Sequence, residues 1–231
     1  MNDFEYIKQN LEYVNEKIRE IAKRSGCEIP KLVAVTKSGS DEELLALCKL
    51  GAVAIGENRP GELKRRGELL FKNGLSPELH QIGTLQSNKA KLVCDKSYLI
   101  HSLDTLSLAK EIDKQGKKLG RKIPVLIEIN SAEEAQKSGV LPRDAERFLN
   151  AVLAFENIEV SGLMTMGPVT DNPEISRKYF SITKELFDNL NSRYRFGENP
   201  TLSMGMSDSF EVAIEEGSTL VRIGRRLFIK N

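Results

Sequence analysis

The chain has 231 residues, enough to bury a substantial core as one large domain or two small ones. Its 34 basic and 33 acidic residues leave a formal net charge of +1, which excludes an overall electrostatic footprint for nucleic acid or an anionic membrane, so any anion site must be local. The N-terminus is acidic and lacks an apolar segment, no run approaches the roughly 18 apolar residues of a membrane span, and the three cysteines, Cys27, Cys48 and Cys94, match no metal-ligand pattern; buried, reduced thiols in the cytoplasm are expected.

Phe4, Ile7, Leu11, Val14, Ile18 and Ile21 recur at steps of three and four, one apolar stripe on an opening helix. After Gly26 and Pro30 comes LVAVTKS (32–38), a short apolar strand that ends in Lys37. Ser40 and Glu43 then offer a capping box for a helix carrying Leu44, Leu45 and Leu47, closed by Gly51. The alternation continues with strands at 52–57, 79–83, 98–102, 124–130, 160–166 and 201–205, each followed by a helical segment, at 60–73, 87–95, about 106–112, 143–154, 173–194 and 209–216. LVRIGRRLF (220–228) reads as a last strand.

Eight strands joined by helical crossovers imply a parallel sheet, and eight is the number that closes a (β/α)8 TIM-type barrel. Only Ile229, Lys230 and Asn231 follow the last strand, so the extra N-terminal helix is expected to take the vacant place in the outer ring. The rival is an open doubly wound sheet, disfavoured because nothing resembles GxGxxG at the first turn. Without a linker, repeat or low-complexity tract, residues 1–231 read as a single α/β domain.

In such a barrel the functional face lies at the C-terminal ends of the strands. Lys37 shares strand parity with Val33 and Val35, so if those valines fill the interior the lysine emerges at the mouth. A free lysine is almost wholly protonated near pH 7; partial burial or nearby cations would enlarge its nucleophilic fraction, and the plain alternative is a solvated lysine past a strand. Ser203, Gly205 and Ser207 after strand seven, and Gly224 with Arg225 after Arg222 on strand eight, fall where barrels cradle phosphate with backbone N–H groups; ordinary turn glycines are the alternative. An amine and a phosphate cradle at one mouth suit a phosphorylated aldehyde, either pyridoxal 5′-phosphate (PLP) or a sugar phosphate cleaved as by a class I aldolase.

The segments LVAVTKS, IGENRPGE, LHQIGTLQSNK, EINSAEEAQKSGV, GLMTMG and LSMGMSDSFEVAIEEGSTLVRIG, in this order over most of the chain, resemble the pyridoxal phosphate homeostasis protein family, related in fold to the alanine racemase N-terminal domain. That resemblance implies PLP fold type III without the C-terminal β-domain, and PLP held as a Schiff base on Lys37. It implies Arg222 at the pyridine nitrogen, with Gly224, Arg225 and Ser203 at the phosphate and Asn58 of GEN beside the cofactor. An arginine cannot readily leave a proton on the ring, which makes the cofactor a weaker electron sink. Position 225, a small hydroxyl residue in many relatives, is arginine here, so the cradle survives if the contact is the backbone N–H. Lys137 of QKSG matches a family lysine that can act as a second amine; a solvated loop lysine is the plain reading.

Asp208 and Ser207 are expected to cap the following helix, His80 and His101 to be hydrogen-bonded packing residues, and Met164, Met166, Met204 and Met206 to fill the core near the mouth. Two-base racemisation needs an acid/base on each face of the cofactor, which alanine racemases supply with a tyrosine from a C-terminal β-domain. The chain stops after strand eight, Tyr6, Tyr13, Tyr179 and Tyr194 fall on helices, and Tyr98 starts its strand away from the mouth. The expected protein is therefore a PLP carrier or regulator of PLP supply, a monomer or weak dimer whose partners include apo PLP-dependent enzymes. A weak amino-acid racemase and a sugar-phosphate lyase are the alternatives.

Overall fold

A computed structural model of the chain describes residues 4–134, 136–168 and 170–230. Eight strands, β1 (Lys31–Val35), β2 (Ala54–Glu57), β3 (Glu78–Gln81), β4 (Leu99–Leu103), β5 (Ile123–Ile129), β6 (Ile158–Thr165), β7 (Thr201–Ser203) and β8 (Leu220–Ile223), close into a barrel in chain order. Every pair is parallel, β8 with β1 included, because each connection runs back over the outside of the sheet. Strands buried on both faces need apolar side chains in both directions, hence the near-continuous apolar run of β5, IPVLIEI. The helices are α1 (Glu5–Ser25), α2 (Asp41–Lys49), α3 (Pro60–Lys72), α4 (Leu106–Leu119), α5 (Ala145–Val152), α6 (Arg177–Tyr194) and α7 (Phe210–Glu215). Among the described residues none is long and apolar enough to cross a membrane.

The stripe on α1 does fill the place of the missing eighth crossover helix. Ile7, Leu11, Val14, Ile18 and Ile21 are buried against Leu44 and Leu47 of α2, Phe210 and Ile214 of α7, and Leu227. The Ser40–Glu43 capping box is complete, with both reciprocal hydrogen bonds made.

Four expected elements differ. Residues 87–92 form a 3₁₀ helix that buries only Ala90, too little apolar surface to fix a regular α-helical crossover. The segments beginning at 143 and 173 open with 3₁₀ turns before α5 and α6; at the second, the Asn172 side chain accepts from the Glu174 N–H. The last strand stops at Ile223, well short of 228, because its partner β1 ends at Val35 and the chain bends at Gly224 into a 3₁₀ turn, Arg225–Leu227.

The outer core lies between sheet and helices. Inside the barrel, Val33, Ala54 and Leu220 form one small apolar cluster and Leu99, Leu126 and Met164 another. The interior also holds buried polar side chains, and these define the site.

Candidate functional site

Lys37 lies two residues past the end of β1, at the C-terminal mouth, exposed and with no ion-pair partner among the described residues. The Thr36 N–H donates to Gly56 O (3.2 Å) and the Gly39 N–H to Thr36 O (2.9 Å), so β1 passes directly into a tight turn. Asn58 follows β2 half-buried, and its carbonyl accepts from Gln81 Nε2 (3.1 Å). The loop after β3 crosses it so closely that a Cβ on Gly83 would stand 2.4 Å from Asn58 O.

A chain of buried polar groups runs through the barrel from this mouth to the opposite face. Arg222 Nη1 lies 2.6 Å from Ser203 Oγ, Ser203 Oγ lies 3.1 Å from His101 Nδ1, His101 Nε2 lies 2.9 Å from His80 Nδ1, and His80 Nε2 lies 3.4 Å from Glu78 Oε2. Its polarity follows from the ends. A guanidinium only donates and a carboxylate only accepts. Burial holds His80 below its usual range; burial, His80 and the Arg222 cation hold His101 well below. Each ring is then neutral with one proton. His80 spends its proton on Glu78, so His101 donates to His80, and the Ser203 hydroxyl donates to His101 while accepting from Arg222. All four donors point the same way. His80 and His101 are thus hydrogen-bonded packing residues as expected, with each other as the partner that sequence did not reveal.

Arg222 is held further by Thr165 O, which accepts from Nη2 (3.1 Å). Burial lowers its pKa to about 10, which leaves it cationic at neutral pH. The opposing charge is Glu128 of β5, 2 % exposed, its pKa raised to about 7 by burial and by Asp104 against the pull of Arg222. Burial raises Asp104 as well, while the Gly139 N–H, donating to its carboxylate, opposes the shift. Neither carboxyl was singled out from sequence, although a Glu in a strand otherwise apolar on both faces is a visible signal.

Glu128 makes stability depend on pH. Folded, it keeps a proton that the unfolded chain, with an ordinary value of 4.5, has already released. Its contribution therefore falls as pH rises from 4.5 through about 7. In urea unfolding, wild type should lose about 3 kcal/mol more than Glu128→Gln between pH 4.5 and pH 8; parallel losses in both proteins would show that Glu128 does not titrate in that window.

At the β7–β8 rim, the Gly224 N–H donates to Ser207 Oγ (3.3 Å), and the Arg222 N–H donates to Gly205 O (3.0 Å). Gly205 has φ +91°, and a Cβ there would lie 2.5 Å from Ala213 Cβ; one on Gly224 would lie 2.9 Å from Val35 O. Side chains are excluded at both, so the rim is built here from close-packed backbone. Arg225 pairs with Asp208 at the surface, which turns its guanidinium outward and leaves its backbone at the rim. Asp208 and Ser207 are not the helix caps expected of them: α7 starts at Phe210, and Ser209 Oγ accepts from the Met206 N–H. The methionines also divide. Met164 and Met204 are buried, whereas Met166 and Met206 are 37 % and 40 % exposed, so the latter two are not core fillers.

The mouth thus brings together Lys37, Asn58, Gly224 and the Arg225 backbone, while Ser203 and Arg222 lie in the interior with Ser203 engaged by Arg222 and His101. Lys137 stands on the loop after β5, half-buried, its ammonium donating to Glu134 Oε1 (2.6 Å). Cys94 is buried as expected, but Cys27 and Cys48 are only half-buried; burial pushes the Cys48 and Cys94 thiols up to about 11 and 12. The arrangement offers a primary amine for a carbonyl, a fixed cation for a ring nitrogen, and backbone N–H groups for an anion.

Residues 9–231 match the family described as the alanine racemase N-terminal domain. A protein of Aquifex aeolicus named pyridoxal phosphate homeostasis protein is 41% identical over 222 residues, 95% of this chain and 96% of its own. One of the same name from Helicobacter pylori is 40% identical over 202 residues, 87% of each chain. Among solved structures, PipY of Synechococcus elongatus with PLP bound superposes with a TM-score of 0.82 at 25% identity, covering 96% of this chain and 100% of that one.

Proposed function

The chain belongs to the alanine racemase N-terminal domain family and, within it, to the pyridoxal phosphate homeostasis proteins; from that premise we propose that it binds PLP as a Schiff base on Lys37 and serves cellular PLP supply without efficient catalysis. The observation that carries this reading is an exposed amine, unpaired among the described residues, at the mouth of a barrel whose interior cation, Arg222, is held by Ser203 and Thr165. PLP supplies an aldehyde that a primary amine captures and a pyridine ring that withdraws electrons.

The residues present fit that group. Lys37 is the amine, with Asn58 beside the cofactor. Arg222 spends one N–H on Ser203 and one on Thr165 O, so others remain for the ring nitrogen. Ser203 acts through Arg222, fixing its direction. The phosphate falls to the Arg225 backbone and the Ser207 hydroxyl, with the Gly224 N–H joining once it exchanges its bond to Ser207 for the anion; the Asp208 pair draws the Arg225 guanidinium away, so a missing hydroxyl at position 225 costs the cradle little. Lys137 serves as a second amine only if its bond to Glu134 opens. Free thiols accord with a cytoplasmic setting, and apo PLP-dependent enzymes are the natural recipients.

Borohydride reduction of the PLP-loaded protein followed by peptide mapping should place the adduct on Lys37; an adduct elsewhere, or none, overturns the attachment. The absence of efficient catalysis is supported by the cation at the ring nitrogen and by the tyrosines. Four lie on outer helices, and Tyr98 stacks near His80 at the end of the barrel away from the mouth. A weak amino-acid racemase is the second reading, favoured by Glu128, an acid/base group near neutrality inside the barrel. Loaded protein incubated with L-alanine in deuterated water decides between them: slow α-proton exchange supports the carrier, rapid exchange the racemase.

A further inference from the structure

On the helix side of the sheet, behind the turn that carries Lys37, lies a buried ion pair that the site above does not use. Arg66 of α3 and Glu57, the last residue of β2, have side chains only 8% and 3% exposed. Arg66 Nη1 donates to Glu57 Oε1 (2.7 Å) and to Thr36 O (2.6 Å), and Nη2 donates to Gly39 O (2.7 Å). The Thr36 hydroxyl donates to the same Glu57 oxygen. One guanidinium therefore grips the carbonyls on both sides of the Lys37–Ser38 dipeptide. Phe228 closes the turn from another side, since a Cβ on Gly39 would lie 2.6 Å from its ring.

Burying such a pair is costly, and well-packed apolar residues of equal volume are often as stable or more so. What an apolar pair lacks is direction. A planar fork with fixed donors can hold two carbonyls at a set spacing. We propose that Arg66, anchored by Glu57, is a positioning residue for Lys37: it fixes the Thr36–Gly39 backbone so that the amine stands preorganised at the mouth. The proposal rests on Lys37 being the PLP attachment site, and its effect is on how fast the amine captures PLP.

The test compares wild type with Arg66→Met, Glu57→Gln and Leu63→Ala, the last removing a buried side chain from the same helix without touching the turn. Amide hydrogen exchange of Thr36 and Gly39, whose N–H groups are hydrogen-bonded at the turn, is measured on protein without PLP, and borohydride-trapped PLP at Lys37 is followed against time. Arg66→Met and Glu57→Gln should each speed exchange of those amides and slow capture at least about tenfold, while Leu63→Ala lowers the urea midpoint with capture and turn exchange unchanged. Unchanged turn exchange in both Arg66→Met and Glu57→Gln overturns the proposal, as does equal slowing of capture by Leu63→Ala. Should wild type take up no PLP at Lys37, the cofactor reading fails while the exchange data still decide whether Arg66 holds the turn. Glu57→Gln keeps the side-chain volume and removes only the charge that anchors Arg66, so the comparison stands even if Arg66→Met does not fold.

Discussion

Substituting Lys37→Ala is expected to leave the urea midpoint unchanged and to abolish the yellow, borohydride-reducible form of the protein. Both halves follow from the same geometry. The side chain is exposed and, among the described residues, bonded to no carboxylate, so its removal changes stability by less than about 0.5 kcal/mol. Lys137, the other amine expected near the PLP aldehyde, is drawn to Glu134. Weak, non-covalent PLP binding should remain, because Arg222 and the β7–β8 rim are untouched. The measurement is visible absorbance after desalting, alongside urea unfolding. A variant that stays yellow would move the attachment to another lysine, and Lys37→Ala/Lys137→Ala would then say whether Lys137 is that residue.

The second large effect is expected at Arg222→Leu. Leucine leaves the Thr165 carbonyl and the Ser203 hydroxyl without their donor and Glu128 without its cation, all inside the barrel. Removing one partner of a buried charge arrangement costs roughly 3–5 kcal/mol, and here the lower figure applies because Glu128 relieves itself by staying protonated. The urea midpoint at pH 7 should fall accordingly. PLP affinity should fall about ten- to a hundredfold, the worth of one hydrogen bond from a charged donor to the ring nitrogen. Stability that drops with affinity intact would make Arg222 a purely structural cation and leave the ring nitrogen to another donor.

Most of the fold is written in local patterns. The opening stripe from Ile7 to Ile21, the Ser40–Glu43 box and the apolar strand β5 each follow from side-chain periodicity or from one capping interaction, and the parallel barrel follows from their alternation. Where several residues compete for one place, sequence misassigned it. Ser207, Asp208 and Ser209 can all cap α7 by spacing. Ser207 is instead taken by the Gly224 N–H and Asp208 by Arg225, contacts across the rim of the barrel that join residues 17 apart in the chain. The strand expected through residue 228 fails for the same reason, since pairing needs a neighbour and β1 has ended.

The candidate site divides along that line. Lys37, Arg222 and Gly224 are legible because strand parity and position after a strand depend on the local chain alone, and the motifs around them are those of the family. The one-way chain from Arg222 to Glu78, the near-neutral Glu128 and the grip of Arg66 on the turn are not legible. Each joins side chains from different strands or helices, and their protonation depends on how far water is excluded, which no local pattern encodes. By itself the sequence determined the barrel and the amine at its mouth. Only the closed barrel, by burying charges together where their fields are poorly screened, decided which groups hold protons, which way they donate, and what keeps that amine in place.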